Sequence, residues 1–267
     1  MIISRHEDTK MRVMAQVQLN TVQLGNNGYP LIMLHGWGQN LQSLQPMGEL
    51  LATRSNVHLI DLPGFGKSPP PPEDWDTTQY ADRIYQYLEE QGIESADMLG
   101  HSFGGRVSLR LAHQYPQKVR SITLINSGGL PRQRTRQQSL RMKWVNTVRD
   151  TLKISPLYRE ELLTWHSQKY GSRDYLNAGA LRGTLVKTVS EDLTEIAKQI
   201  SVPVLLLWGE VDTETPVEVG YRYHSLLANS ELITIPRRDH FMFQAEGSHL
   251  CAYYVDKFLA RLPSQES

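Results

Sequence analysis

Six short apolar runs recur along the chain: "LIMLH" (31–35), "VHLID" (57–61), "ADMLG" (96–100), "ITLIN" (122–126), "VLLLWG" (204–209) and "LITI" (232–235). Glycine, proline or polar residues bound each of them, and none alternates apolar with polar. A strand with one wet face must alternate, because successive side chains point to opposite faces; a strand covered on both faces need not. Helical periodicity fills several of the gaps. In "TTQYADRIYQYLEEQG" (77–92), Tyr80, Ile84 and Leu88 fall at i, i+4 and i+8, with Gly92 placed to cap the end. "FGGRVSLRLAHQYP" stops at Pro116, and "PVEVGYRYHSLLANS" and "HLCAYYVDKFLARL" follow the later runs. Strands alternating with helices predict an α/β chain, a mostly parallel sheet with helices on both sides. The segment before Pro30, "VMAQVQLNTVQLG", does alternate and is expected to form an antiparallel hairpin at the sheet edge.

From about residue 130 to 195 the alternation stops, and the sequence is helix-like with no strand candidate. That predicts a core of residues 1–129 and 196–267 interrupted by a helical cap of residues 130–195. The run "PPPP" (69–72) reads as a stiff exposed loop. A chain of 267 residues buries a core large enough to need no disulfide or metal staple. Lys+Arg and Asp+Glu both total 28, which argues against a nucleic-acid binder or a polybasic membrane anchor. Cys251 is the only cysteine and lies in a helical pattern, so it reads as a buried thiol in a reducing compartment. "MIISRHEDTKMRV" has no uninterrupted apolar core for a signal peptide, and no stretch approaches the ~18 apolar residues of a membrane span. A cytoplasmic location is the expectation.

The chemistry concentrates at "MLGHSFGGRV" (98–107). Gly100-His101-Ser102-Phe103-Gly104 fits G-x-S-x-G between a strand and a helix, where a sharp turn lifts the serine hydroxyl above the sheet edge. Gly100 and Gly104 remove Cβ atoms at the crowded points of such a turn. The helix that follows aims its N–H groups at the same place. A serine hydroxyl is a weak nucleophile and needs a base held by an acid. Of nine histidines, His240 follows the last strand candidate and is the expected base; His224 and His249 fall in helical patterns and read as surface residues. His101 adjoins the serine, but its side chain is turned away from the hydroxyl. After "VLLLWG" come Glu210, Asp212 and Glu214; Asp212 is the expected acid and Glu210 the reserve. The oxyanion donors are expected from the N–H of Phe103 and from that of Trp37 in the turn "HGWGQN". His35 reads as a brace of that turn; it is also, with Trp144 and Phe241, a candidate substrate contact. No metal or cofactor site is expected.

Together "HGWG" (35–38), "DLPGFGKS" (61–68), "GHSFGG" (100–105), "WGEVD" (208–212) and "DHF" (239–241) resemble the α/β-hydrolases of the cofactor-free serine type, over nearly the whole chain. The resemblance implies an α/β-hydrolase fold, an eight-stranded mostly parallel sheet with a helical cap after the sixth strand. It also implies Ser102, Asp212 and His240 as triad, with Trp37 and Phe103 at the oxyanion hole. Asp61 and Ser68 are expected to organise their loop. The family usually places glycine before the histidine, whereas Arg237, Arg238 and Asp239 stand here. The implied activity is hydrolysis of a small-molecule carboxylic ester through an acyl-enzyme. Carbon–carbon hydrolysis of the meta-cleavage type and a ligand receptor of slow turnover use the same scaffold. "HGWG" with "DLPGFGKS" is also similar to pimeloyl-carrier-protein methyl esterases, which bind an acidic carrier protein. The stretch 130–175 carries ten Lys/Arg against four acids, among them Arg132, Arg134, Arg136 and Arg141. These read either as a solvated helix face or as a dock for that carrier.

Overall fold

The computed structural model describes residues 17–131 and 173–263, together with Thr147. Each apolar run is a strand: β2 (Pro30–Leu34), β3 (Asn56–Ile60), β4 (Ala96–His101), β5 (Val119–Ile125), β6 (Val204–Gly209) and β7 (Ser230–Ile235). With β1 (Thr21–Leu24) they make a seven-stranded sheet in the order β1-β3-β2-β4-β5-β6-β7. Only β1 runs antiparallel. Where eight strands were expected, seven form among the described residues. The alternating segment supplies β1, which pairs with β3 directly; most of the other arm of its expected hairpin lies outside the described residues.

The main helices are α1 (Gln45–Leu51), α2 (Thr77–Glu90) and α3 (Phe103–Gln114), followed by the short α4 (Arg173–Asn177), α5 (Arg182–Ser190) and α6 (Thr194–Ala197), and then α7 (Val217–Leu226) and α8 (Gly247–Leu259). The unbroken strand runs are explained by two cores. Ile32, Leu34, Met98, Leu124 and Leu206 meet Tyr80, Ile84, Val107 and Tyr223 of α2, α3 and α7. Leu31, Met33, Leu59, Leu205 and Leu207 meet Met47 and Leu51 of α1 and Val255 and Phe258 of α8. Both faces are dry, so both sets of side chains must be apolar, and each fully buried one contributes roughly 1.5–3 kcal/mol. Cys251 belongs to the second core, and burial pushes its thiol up to about 12, which makes it a packing residue and not a nucleophile. At the start of α2, Asp76 accepts the Thr78 N–H (2.7 Å) while Gln79 accepts the Asp76 N–H (2.8 Å), a reciprocal cap that fixes where the helix begins.

From β2 the chain moves outward to β3, then crosses back to β4 on the other side of β2. In open α/β sheets such a reversal leaves a crevice at the carboxyl ends of the strands. Between β5 and β6 lies the stretch expected to be helical. Its described part, α4 to α6, sits over the loop after β3 and over α3. Thr184 Oγ1 accepts the Trp75 N–H (3.2 Å), Lys187 Nζ donates to the Asp74 carbonyl (2.5 Å), and Arg106 of α3 donates to the Thr188 carbonyl (2.8 Å). Trp144, Arg132, Arg134, Arg136 and Arg141 lie outside the described residues.

Candidate active site

Ser102 stands at the end of β4 with φ +49° and ψ −104°, a left-handed conformation that L side chains avoid. The strain is held by its surroundings: Ser102 N–H donates to the Ile125 carbonyl (3.0 Å) and Gly128 N–H donates to the Ser102 carbonyl (3.3 Å). Any side chain at Gly104 would drive its Cβ into the Leu34 carbonyl oxygen, and one at Gly100 would overlap the backbone of Gly104. Strand β4 and helix α3 can therefore meet at this angle only with glycine at both positions. Phe103 opens α3, so its N–H is one of the helix's free first-turn donors.

The turn after β2 faces the elbow. Gln39 N–H donates to the Gly36 carbonyl (3.2 Å), which leaves Trp37 and Gly38 at the crest, Gly38 at φ +70°. The rings of Trp37 and Phe103 meet edge to face with centroids 5.5 Å apart, so the two expected oxyanion donors belong to loops in contact. His35 is wholly buried beneath the turn. Its Nδ1–H donates to the Gly36 carbonyl (2.8 Å) and its Nε2 accepts the Leu62 N–H (3.0 Å). The ring braces the loop and offers no surface to a substrate. Asp61 organises the next loop, accepting from Leu41 N–H (2.7 Å), Lys67 N–H (2.8 Å) and Asn20 Nδ2 (2.7 Å), while Ser68 Oγ donates to the Asp61 carbonyl (2.7 Å).

Burial pushes the His35 imidazole down to about 4, against the usual 6.5, with the Gly36 carbonyl and Asp61 opposing more weakly. The unfolded chain therefore takes up a proton near pH 6.5 that the folded chain refuses. The His35 contribution is full above about pH 6.5 and is lost as the pH falls toward 4, a difference of about 3 kcal/mol. His58 and His101 are displaced in the same direction, also chiefly by burial. Denaturant unfolding between pH 7.5 and 4.5 is expected to show stability falling steadily below pH 6.5. A flat profile across that window contradicts it.

Asp212 and His240 come together at the ends of β6 and β7. His240 Nδ1 lies 2.7 Å from Asp212 Oδ2, and both side chains are buried. The other carboxylate oxygen accepts the N–H groups of Glu214 (2.7 Å) and Thr215 (2.9 Å), and Thr215 Oγ1 lies 2.8 Å from Oδ2. A carboxylate can only accept, so Nδ1–H points at Asp212, and in the neutral ring Nε2 is the nitrogen able to take a proton. Glu214 Oε2 stands 3.5 Å from that Nε2. Glu210, the reserve acid, is exposed and accepts the Arg237 N–H (3.0 Å) instead. Arg237 itself adopts φ +58°, a left-handed conformation that is strained for an arginine. Phe241 is 39% exposed with its ring 5.3 Å from that of His240, at the open side of the base. His224 and His249 are on the surface.

Two residues outside the predicted set hold this arrangement. Asn126, fully buried at the end of β5 with φ +44°, donates from Nδ2 to the carbonyls of Asp239 and His240 (both 2.9 Å) and accepts the Gly209 N–H at Oδ1 (2.9 Å). Thr215 Oγ1 reaches the Asn126 carbonyl (3.0 Å) as well as Asp212. An asparagine directly after a strand is a weak signal on its own; its tolerance of left-handed backbone is the clue that was available. Among the described residues no group of three His, Cys, Asp or Glu side chains could hold a metal, and no helix is long and apolar enough to cross a membrane.

Residues 29–245 match the family of the alpha/beta hydrolase fold. A pimeloyl-[acyl-carrier protein] methyl ester esterase of Vibrio cholerae is 25% identical over 253 residues, covering 88% of this chain and 96% of that one. Another of that name from Chromobacterium violaceum is 28% identical over 249 residues, covering 83% and 91%. Among solved structures, a thermophilic esterase from Thermogutta terrifontis superposes with a TM-score of 0.71 at 19% identity, over 92% of this chain and 94% of that one. A fold-family match over most of the chain, with strands and motifs in the expected order, makes this protein an enzyme of the α/β-hydrolase fold family.

Proposed function

We propose that the protein hydrolyses carboxylic esters through an acyl-enzyme on Ser102. The observation that carries this reading is the buried His240–Asp212 pair, Nδ1 to Oδ2 2.7 Å, together with a serine held at φ +49° at the head of α3. His240 Nε2 takes the Ser102 proton as Oγ bonds to the ester carbonyl carbon, and Asp212 steadies the imidazolium. The N–H groups of Trp37 and Phe103 stabilise the oxyanion. Collapse of the tetrahedral adduct breaks the C–O bond, and His240 returns the proton to the departing alcohol. Water then attacks the acyl-enzyme with His240 again as base, releasing the acid and restoring Ser102. The cap of residues 130–195 would cover the crevice and set the acyl group accepted.

A second, finer reading is favoured by the two esterase relatives: a methyl ester presented on an acidic carrier protein, received by the basic stretch that contains Arg132, Arg134, Arg136 and Arg141. An ester panel separates the two. Simple esters of graded acyl length should be turned over repeatedly by the wild-type enzyme. The carrier reading requires in addition that a carrier-linked methyl ester be preferred to the free one. It requires that the preference vanish when those four arginines are neutralised; equal rates on both esters end that reading and leave the first standing.

A further inference from the structure

The elbow's second residue points away from the nucleophile, and what it touches is informative. His101 is 1% exposed. Its Nε2 lies 3.0 Å from the His240 carbonyl oxygen, its Nδ1 lies 3.0 Å from Gln39 Oε1, and that same oxygen accepts the Gly36 N–H (2.9 Å). The ring packs 4.7 Å from the His240 ring and 4.4 Å from Phe243. On its other side the Gly36 backbone passes so close that a Cβ there would come within 2.6 Å of Nδ1. One imidazole is thus wedged between the turn that offers the Trp37 oxyanion donor and the loop that carries the base.

We infer that His101 is a positioning residue that couples the oxyanion turn, Gly36–Gln39, to the base loop, Asp239–His240. The inference rests on the reading of Ser102 and His240 as nucleophile and base. Its physical basis is a shortage of protons. Burial and the neighbouring His240 hold His101 well below the ordinary histidine range, so the ring is neutral and carries a single N–H. Each ring nitrogen nevertheless faces an oxygen. With the proton on Nε2 the His240 carbonyl is held; Gln39 must then turn its amide NH₂ toward Nδ1, and Gly36 N–H loses its acceptor. With the proton on Nδ1 the Gly36–Gln39 contacts are kept, and the His240 carbonyl is left to Asn126 Nδ2 alone (2.9 Å). The pose of either loop therefore depends on the other through this ring. Asn126 and His101 share one carbonyl, which limits how far the base loop drifts in either state.

The test is a double-mutant cycle on steady-state ester hydrolysis, with His101→Leu, Gln39→Leu and the pair, and His101→Gln as the conservative variant. His101→Leu should lower kcat by about 10–100-fold with KM within about two-fold, since misplaced groups slow the chemistry without weakening binding. His101→Gln, which supplies both a donor and an acceptor, should recover kcat to within about three-fold of wild type. Gln39→Leu should cost about 3–10-fold in the wild-type background and less than about two-fold beside His101→Leu. Equal effects of Gln39→Leu in both backgrounds, or a folded His101→Leu protein with wild-type kcat, overturn the coupling. If His101→Leu fails to fold, Gln39→Leu and His101→Gln decide: wild-type kcat in the first, or a His101→Gln loss as deep as 100-fold, overturns it. Ser102→Ala run alongside keeps the two claims apart, because activity surviving in that variant defeats the nucleophile reading whatever His101 does.

Discussion

Ser102→Ala is expected to lower kcat for ester hydrolysis by about 10⁴-fold or more while leaving the protein folded. Removing Oγ deletes the atom that forms the acyl bond, and no other hydroxyl in the elbow can take its place: Phe103, Gly104 and Gly105 follow directly. The same position carries a stability signature that a passive turn residue would lack. At φ +49° and ψ −104° a residue with a Cβ is strained by roughly 1–3 kcal/mol, whereas glycine is not. Glycine's greater chain entropy offsets about 0.5–1 kcal/mol of that relief. Ser102→Gly should therefore be more stable than Ser102→Ala by about 1 kcal/mol, or roughly 2–4 °C in Tm. Both variants should be inactive. Thermal unfolding that ranks alanine above glycine would show that the elbow is not under strain.

Asp212→Asn should cost between about 10² and 10⁴-fold in kcat, and the hydrogen bonds say why. Asp212 Oδ1 is pinned by the N–H groups of Glu214 and Thr215. An asparagine must keep its one oxygen there, so its NH₂ turns toward His240 Nδ1. Nδ1 then becomes the acceptor, the ring proton moves to Nε2, and the base presents a proton to the nucleophile where a lone pair is needed. Glu210→Gln serves as the counterpart. Its oxygen can still accept the Arg237 N–H, and it lies outside the Asp212–His240 pair, so kcat within about two-fold of wild type is expected. If instead Glu210→Gln is crippled and Asp212→Asn is not, the acid has been misassigned.

Much of this was legible from residue order, and the reason is local. Strands buried on both faces must be continuously apolar, so β2 to β6 could be read directly, and the helical spacing of Tyr80, Ile84 and Leu88 follows from the single core they enter. The elbow and the Asp212 and His240 loops were visible because each follows a strand at the carboxyl edge. What held them together was not visible. Asn126 reaches Gly209, Asp239 and His240 across 83, 113 and 114 residues, and no pattern along the chain encodes contacts at such range. His35 illustrates the opposite case. A histidine beside a glycine turn has the chemistry for substrate contact, and only its complete burial between Gly36 and Leu62 makes it a brace. Arg237 is another case: its left-handed backbone is held by Glu210 and the end of β6, contacts that no local pattern announces.

The most direct test is to mix the enzyme with an activated short-chain ester, quench in acid within the first turnovers, and map the digested protein by mass spectrometry. The acyl mass should appear on the peptide containing Ser102, vanish as substrate is exhausted, and be absent from Ser102→Ala. Sustained hydrolysis with Ser102 unmodified would contradict the acyl-enzyme route, and an adduct that forms once and persists would mark a receptor in place of an enzyme.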